Sequence, residues 1–151
     1  MHHDDIDAVA NIHCQQFPGQ HYSTQWVSCN LAAFPRIMMF VARDEKDDVI
    51  GYVQWSHKNG FRKATIIELE QIAVIKTWQG AGIGTKLIKG SLDSIKDFLD
   101  DSGSMLKAVM VSTRADNAAQ GLYKKALGAQ VIAVIKDLYS HDEVLMLARE
   151  L

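Results

Sequence analysis

Three glycines stand at alternate positions in the middle of the chain, at Gly80, Gly82 and Gly84. An apolar segment precedes them, and the apolar–polar spacing of a helix follows them. Glycine adopts left-handed backbone conformations easily, and it lets a ligand approach the main chain without a side chain in the way. A helix that begins behind such a turn directs unpaired N–H groups and the positive end of its dipole at that ligand. This segment therefore predicts a site for a phosphate or pyrophosphate group.

Two glutamates, Glu68 and Glu70, precede the turn in an otherwise apolar segment. Residues two apart on a strand point to the same face, so we expect the two carboxylates to lie side by side. Partial burial raises the pKa of a carboxylate and suits it to accept a proton from an ammonium group. Both residues are therefore candidate general bases. The alternative is a solvated face or a site for a cationic substrate.

Two better-known glycine-rich motifs fit the turn poorly. A P-loop ends in Gly-Lys followed by Ser or Thr, whereas Gly84 is followed by Thr85 and then Lys86. A dinucleotide fingerprint has the form G-x-G-x-x-G at the first strand-to-helix turn of a parallel sheet. The glycines here follow the third of three predicted antiparallel strands, and no acidic residue ends a following strand. A packing turn without a ligand is a further interpretation of the glycine spacing alone.

Composition restricts the class of protein. The chain of 151 residues is long enough to bury a core, and we interpret residues 1–151 as a single domain. A net charge of -2 without a basic block argues against nucleic acid or a membrane surface as partner. No apolar run approaches the roughly 18 residues of a membrane span, and we expect no signal peptide. Cys14 and Cys29 lack metal-ligand spacing, so we expect a cytoplasmic protein with reduced cysteines and no metal.

The periodicity of apolar residues predicts the elements that position these groups. In chain order we expect helices at 6–17 and 22–33, strands at 37–43, 49–57 and 64–75, a helix at 80–98, a strand at 106–113, a helix at 116–127, and strands at 131–138 and 143–148. Antiparallel strands at the front and two strand–helix crossovers in the middle indicate a mixed sheet with helices on its faces. The fold class is therefore α/β or, by a stricter label, α+β.

The residues around the glycines resemble the GNAT family of acetyltransferases. Gln79-x-x-Gly82-x-Gly84 is similar to the family signature Q/R-x-x-G-x-G/A, and the segment 69–74 resembles the strand before it. The segment 117–128 is similar to the second motif of the family, and the predicted order of elements matches over nearly the whole chain. The resemblance implies a mostly antiparallel central sheet of about six to seven strands flanked by about four helices. We expect the opening strand of the family to be missing here.

The resemblance also implies a ligand, because the glycine turn of this family holds an acyl-coenzyme A. The turn would bind the pyrophosphate, and the preceding strand would pair with the pantetheine arm beside a bulge. A backbone N–H of Ala73 or Val74 in that strand would bind the oxyanion that forms on the thioester carbonyl. The implied cofactor-binding residues are Ile72, Ala73, Val74, Gln79, Gly80, Ala81, Gly82, Ile83, Gly84, Thr85 and Asn117. Asn117 lies six residues before Tyr123 instead of the usual seven, which implies a shifted helix start.

The implied reaction is direct transfer of the acetyl group of acetyl-CoA to a primary amine in a ternary complex. Glu68, Glu70 or a water would act as base, and Tyr123 would act as the acid that protonates the leaving thiolate. Two classes of acceptor are possible, a protein N-terminus and a small amine. A loose resemblance of segment 138–146 to N-terminal acetyltransferases indicates the first. The candidate substrate-binding residues are Phe17, Tyr22, Trp26 and Tyr139. The alternative to an enzyme is a sensor that binds acyl-CoA without turnover. Members of the family commonly associate through the edges of their sheets, which implies a homodimer.

Overall fold

The computed structural model describes residues 1–149 and residue 151. The α-helices in this part of the chain are α1 (Ile6–Gln16), α2 (Ser23–Ala32), α3 (Ile83–Asp101) and α4 (Gln120–Leu127). The strands are β1 (Ile37–Arg43), β2 (Val49–His57), β3 (Ala64–Val74), β4 (Met105–Arg114), β5 (Gln130–Ile135) and β6 (Glu143–Ala148). Short 3-10 helices lie at His3–Asp5 and Lys76–Trp78. None of the described helices combines the length and the apolar composition that a membrane span requires.

The six described strands form one sheet in the order β1-β2-β3-β4-β6-β5. β3 and β4 are parallel, with α3 as the crossover between them, and every other neighbouring pair is antiparallel. α1 and α2 pack on one face of the sheet, and α3 and α4 pack on the other. This mixed, mostly antiparallel sheet with four flanking helices in the described chain confirms the predicted fold class.

Each face of the sheet has its own apolar core. On the α3 side, Trp55 and Leu69 from the strands pack in one cluster with Ile88 and Ile95 from the helix. The Trp55 indole N–H donates a hydrogen bond of 2.9 Å to the buried Ser91 hydroxyl, so its one polar atom is satisfied. The other core, on the α1 and α2 side, contains Val9, Val27, Ile37, Met39, Tyr52 and Ala73. Full burial of such side chains contributes about 1.5–3 kcal/mol each, which holds the helices against the sheet.

A β-bulge interrupts the pairing of β2 with β3. Gln54 pairs with Gln71 and Trp55 pairs with Leu69, so Glu70 between them has no residue opposite it in the backbone pairing with β2. An extra residue on one strand of an antiparallel pair bends that strand and changes the direction of its side chains. The segment of β3 that approaches the glycine turn therefore begins at a bend.

Two features of the sheet occur at this bulge. Leu69 packs in the α3-side core and Ala73 packs in the opposite core, although residues four apart on a regular strand share one face. In addition, β3 pairs with β4 only as far as Glu68 and Met110. Beyond that point β4 pairs with β6 alone, so the end of β3 has an open edge.

Two helices begin later than the sequence predicts. α3 begins at Ile83 instead of residue 80, because Gly80 and Gly82 both have φ of +80°, which is outside the range of a right-handed helix. α4 begins at Gln120 instead of residue 116. There the Asn117 carboxamide oxygen accepts a 2.9 Å hydrogen bond from the Ala119 backbone N–H and holds the preceding segment as a turn.

The last hairpin also differs from prediction, since β5 ends at Ile135 instead of residue 138. Asp137 has a positive φ of 48°, and its backbone N–H donates to the Asp142 carboxylate at 3.2 Å. Lys136 pairs with the same carboxylate, so the residues after Ile135 form a closed turn. By contrast, β1, β2 and β6 have the predicted bounds.

Candidate active site

A cleft of about 730 Å³ lies where β3 separates from β4. It is lined by the end of β3, the glycine turn, the first residues of α3, the end of β4, the start of α4 and the loop that follows α1. Its volume is in the range of about 300–1,000 Å³ that is typical of small-molecule sites. The glycine turn and Tyr123, which the sequence analysis placed in one site, both line it.

The glycine turn offers a row of backbone donors to the cleft. None of the N–H groups of residues 80–85 has a backbone acceptor within hydrogen-bond geometry in the described part of the chain. The left-handed conformations of Gly80 and Gly82 turn the chain just before α3 begins, and α3 has no acidic residue in its first turn. Unpaired donors at the positive end of a helix dipole favour a bound anion. This arrangement fits the pyrophosphate group that the sequence predicted.

Gly84 serves a different purpose from the two glycines before it. A Cβ at Gly84 would lie 3.2 Å from Leu122 Cδ2, which is tighter than ordinary packing. The absence of a side chain at Gly84 therefore lets α4 approach the first turn of α3 closely. This approach brings Tyr123, the neighbour of Leu122 on α4, to the wall of the same cleft.

Gln79 connects the glycine turn to the end of β3. Its side-chain Nε2 donates 2.8 Å to the Val74 carbonyl oxygen and 3.2 Å to Gln16 Oε1. Ile72, Ala73 and Val74 line the cleft beyond the last pairing of β3 with β4. An extended ligand can pair with the main chain of such an open edge as an added strand does. Gln79, Gly80, Gly82, Ile83, Gly84 and Thr85 also line the cleft, whereas Ala81 does not.

Tyr123 is a protonated phenol in the wall of the cleft. Only 6% of the residue is exposed, and burial raises the pKa of its hydroxyl above the ordinary value of 10.0. The phenol therefore keeps its proton throughout the neutral range. A group that holds a proton in a partly buried site can serve as a general acid.

The two glutamates differ in their surroundings. Glu70 is the one carboxylate among the described residues that line the cleft, and its Oε2 accepts a 2.9 Å hydrogen bond from Nε2 of the buried Gln54. Glu68 does not line the cleft, and its Oε2 lies 2.7 Å from Lys58 Nζ in an ion pair. Only Glu70 is thus placed to meet a molecule in the cleft.

A family model described as the Acetyltransferase (GNAT) family matches residues 6–129. The chain belongs to the GNAT acetyltransferase family. The match includes α1, β3, the glycine turn, β4 and α4, which meet at the cleft.

The GNAT relatives include N-terminal and small-molecule acetyltransferases. An N-alpha-acetyltransferase of Sulfurisphaera tokodaii is 26% identical over 147 residues, which cover 92% of this chain and 83% of the relative. The structure of the NatC complex bound to Gag peptide and CoA aligns with a TM-score of 0.79 and 16% identity, over 99% of this chain and 93% of that one. An aminoglycoside 6'-N-acetyltransferase complexed with coenzyme A aligns with a TM-score of 0.78 and 13% identity, over 98% and 92%. These structural matches share the GNAT fold.

The four candidate substrate-binding residues lie in different places on this GNAT fold. Phe17 lines the cleft and packs against the His13 ring, with 5.3 Å between the ring centroids. Trp26 lies one side chain behind the cleft wall, where its indole N–H donates 3.2 Å to Gln71 Oε1. Tyr22 and Tyr139 are 78% and 75% exposed and do not line the cleft. The structure therefore brings two of the four to the cleft or next to it.

Asn117 lines the cleft, but both ends of its carboxamide contact the protein. Its Nδ2 donates 2.7 Å to the Thr113 hydroxyl, and its Oδ1 accepts from the Ala119 N–H. These contacts connect the end of β4 to the start of α4. The side chain thus orients the α4 turn that follows it.

Sequence reasoning missed the glutamines beside the bulge. Gln71 is 8% exposed and lines the cleft next to Glu70, and Gln20 lines it from the loop after α1. Regular alternation predicts that Gln71 and Glu70 point to opposite faces. The bulge removes that alternation, and nothing in the order of residues marks where it occurs. Among residues 1–149 and 151, no cluster of three or more His, Cys, Asp or Glu side chains is arranged as a metal site.

Proposed function

We propose that the protein transfers the acetyl group of acetyl-CoA to the α-amino group of a peptide or protein N-terminus. The observation that carries the transfer is the meeting of unpaired amides, an open strand edge and a buried tyrosine in one cleft. The acceptor class is supported by the 26% identical N-alpha-acetyltransferase. Glu70, the one carboxylate among the described lining residues, suits the ammonium group that any amine acceptor presents.

The backbone groups that face the cleft fit acetyl-CoA. The amides of residues 80–85 would hold the pyrophosphate, and Ile72, Ala73 and Val74 would pair with the extended arm. Gln79 keeps these two parts in register through its bond to the Val74 carbonyl. When bound, acetyl-CoA supplies the thioester whose acetyl group is transferred.

The chain's own residues supply the proton transfers. Glu70, directly or through a water, takes a proton from the acceptor ammonium, and Tyr123 donates its proton to the departing sulfur. The amine nitrogen forms its bond to the acetyl carbon as the carbon–sulfur bond breaks. We assign the base to Glu70 over Glu68, because the Lys58 ammonium pairs with Glu68 away from the cleft. Gln54 orients the Glu70 carboxylate from behind.

Thermal unfolding with equal concentrations of acetyl-CoA, CoA, ATP and NAD tests the ligand. A ligand at a hundredfold excess over its Kd stabilises the folded state by about 2.7 kcal/mol. We expect a rise in Tm with acetyl-CoA and CoA and none with ATP or NAD. A rise with ATP or NAD alone would refute the acetyltransferase proposal.

The second assay follows thiol release from acetyl-CoA with a panel of peptides, polyamines and aminoglycosides. Release that depends on a peptide with a free N-terminus supports the proposed acceptor. Binding of acetyl-CoA without thiol release from any acceptor favours the sensor, which holds the ligand without turnover. Tyr123→Phe provides the matched control, since it should retain CoA binding and lose most of the release.

We further propose a homodimer through β5, and a cytoplasmic location. β5 is an edge strand, and all six of its residues are exposed, among them Val131, Ile132, Val134 and Ile135. An exposed apolar edge offers unpaired backbone groups to another strand, and an antiparallel pair of β5 strands satisfies a two-fold axis. Light scattering should give twice the chain mass for the parent and for the control Met105→Lys, and the chain mass for Val134→Lys. A monomeric parent would refute the dimer.

A further inference from the structure

A chain of hydrogen bonds lies behind the side of the cleft that carries Glu70. The Trp26 indole N–H and the Tyr52 hydroxyl both donate to Gln71 Oε1, at 3.2 and 3.1 Å. Gln71 Nε2 donates to Gln20 Oε1 at 3.1 Å. His13 Nε2 lies 2.9 Å from the same Gln20 oxygen. The chain joins α1, α2, β2 and β3, and two of its members line the cleft.

The direction of these bonds is fixed at one end by chemistry. An indole N–H can only donate, whereas a carboxamide can present either its oxygen or its NH₂ group. Trp26 therefore makes Gln71 turn its oxygen away from Gln20 and its NH₂ group toward it. Gln20 must then present its oxygen to Gln71, and that oxygen also accepts the proton carried by His13 Nε2.

As a consequence, Gln71 and Gln20 keep amide N–H groups that no protein acceptor among the described residues uses and that a ligand in the cleft can bind. Each carboxamide has two N–H donors. One donor of Gln71 is used by Gln20, and Gln20 Nε2 has no protein partner among residues 1–149 and 151. Both glutamine oxygens are occupied by the donors named above. The wall beside the Glu70 carboxylate therefore presents N–H donors rather than carbonyl acceptors.

This pattern matches an amine that has a carbonyl oxygen close to it. Glu70 suits the ammonium group, and the glutamine donors suit an oxygen on the next atoms of the acceptor. The first residue of a peptide has this arrangement. A polyamine presents further N–H groups in that place, which would leave the second N–H of the buried Gln71 without an acceptor, and an unpaired buried polar group is unfavourable.

We propose that Gln71 and Gln20 are specificity-determining residues that donate hydrogen bonds to the carbonyl oxygen next to the acceptor amine, and that Trp26 is the positioning residue that orients them. This inference rests on the proposed acetyltransferase function and names the part of the acceptor that the site recognises. Trp26 acts through Gln71 and does not itself touch the acceptor.

The test compares two acceptors that differ at one bond. One is a short peptide with a free alanine N-terminus, and the other has an E-alkene in place of its first peptide bond, so that the carbonyl oxygen is missing. We expect the parent protein to prefer the amide peptide by roughly 10–100-fold in kcat/KM. In Gln71→Met and Gln20→Met the amide peptide should lose most of that advantage through a higher KM, so that the ratio of kcat/KM between the two peptides approaches one.

Further variants separate a specific effect from a loss of structure. Trp26→Phe keeps an aromatic ring at this position but removes the pyrrole part of the indole with its orienting N–H, so it should reduce the preference for the amide peptide while the rise in Tm with CoA is retained. Gln71→Glu exchanges donors for acceptors, so it should raise kcat/KM for a diamine and lower it for the amide peptide. Gln15→Met, on an exposed position of α1 outside the cleft, is the matched control. Calorimetry of the amide peptide with the CoA-loaded proteins should rank the parent and the variants by Kd in the same order as KM does.

The possible failures are distinguishable. If no acceptor releases thiol from acetyl-CoA, the proposed function is wrong and the inference is wrong with it. If the parent acetylates the amide peptide, the alkene peptide and a diamine equally well, the function stands and the inference is refuted. Equal preferences in the parent, Gln71→Met and Gln20→Met also refute it.

Discussion

Replacement of Gly82 by alanine tests whether the turn before α3 depends on a left-handed backbone. The φ of Gly82 is +80°, and no heavy atom lies within 4 Å of the place that a Cβ would take. The cost is therefore backbone strain and not a steric clash, at about 1–2 kcal/mol for an L-residue in this conformation. A change of about 1 kcal/mol shifts the Tm of a domain of this size by about 2–4 °C, so Gly82→Ala should melt roughly 2–8 °C lower.

Gly90→Ala is the matched control on the same helix. Gly90 lies in the exposed interior of α3, with an ordinary helical φ and likewise no heavy atom within 4 Å of a Cβ. Alanine at such a position reduces the freedom of the unfolded chain and favours the helix by about 0.4–1 kcal/mol. The same substitution should therefore lower the Tm at Gly82 and raise it at Gly90.

Ligand binding provides a second measurement on the same pair. If the alanine of the Gly82→Ala variant relaxes toward a negative φ, the amides of residues 80–85 no longer converge, and the Kd for CoA should rise by at least about tenfold, or about 1.4 kcal/mol. Gly90→Ala should leave that Kd unchanged. Circular dichroism melts and calorimetry with CoA measure the two effects. Equal Tm values for both variants, or a Gly82→Ala protein that binds CoA as tightly as the parent, would refute this reasoning.

Three further predictions concern titratable groups. Tyr123→Phe should lower kcat about 10²–10⁴-fold, as removal of a general acid does, with the Kd for CoA unchanged in calorimetry. Glu70→Gln should lower kcat/KM for the peptide at least about tenfold, whereas Glu68→Gln should stay within about twofold; equal losses would contradict the assignment of the base. Burial lowers the pKa of His57 below its ordinary 6.5. As the pH falls, the imidazole therefore takes up a proton at a higher pH in the unfolded chain than in the folded one. Stability should fall as pH drops through about 6.5, and the denaturant midpoint of His57→Gln should vary less over that range.

The regular elements were predictable where one physical signal dominates. β1, β2 and β6 have the predicted bounds because apolar strand segments end there at polar turns, such as the one after Arg43. The starts of α3 and α4 were predicted too early because the sequence pattern alone does not show where the turn before each helix ends. At Gly82 a positive φ decides the boundary, and at Asn117 a side-chain bond to the backbone decides it.

The site was predictable in its local part and not in its long-range part. The glycine turn and Tyr123 each carry a recognisable sequence pattern, and both line the cleft. Tyr22 and Tyr139 were proposed from their loops alone, and sequence cannot show how far a loop residue lies from a cleft. The link between Trp26 and Gln71 spans 45 positions of chain, so only the assembled sheet brings those side chains together.

The bulge at Glu70 explains why the parts of this site occur together. One extra residue in β3 places Glu70 at the cleft, and it turns Gln71 toward Tyr52 and Trp26 on the same face. The bend also accompanies the end of pairing with β4, which frees the edge of the strand. A regular strand would place Gln71 on the α3 side with Leu69. The positions of the carboxylate and the amide donors therefore depend on a single irregularity of the sheet, and the open edge of β3 begins beside it.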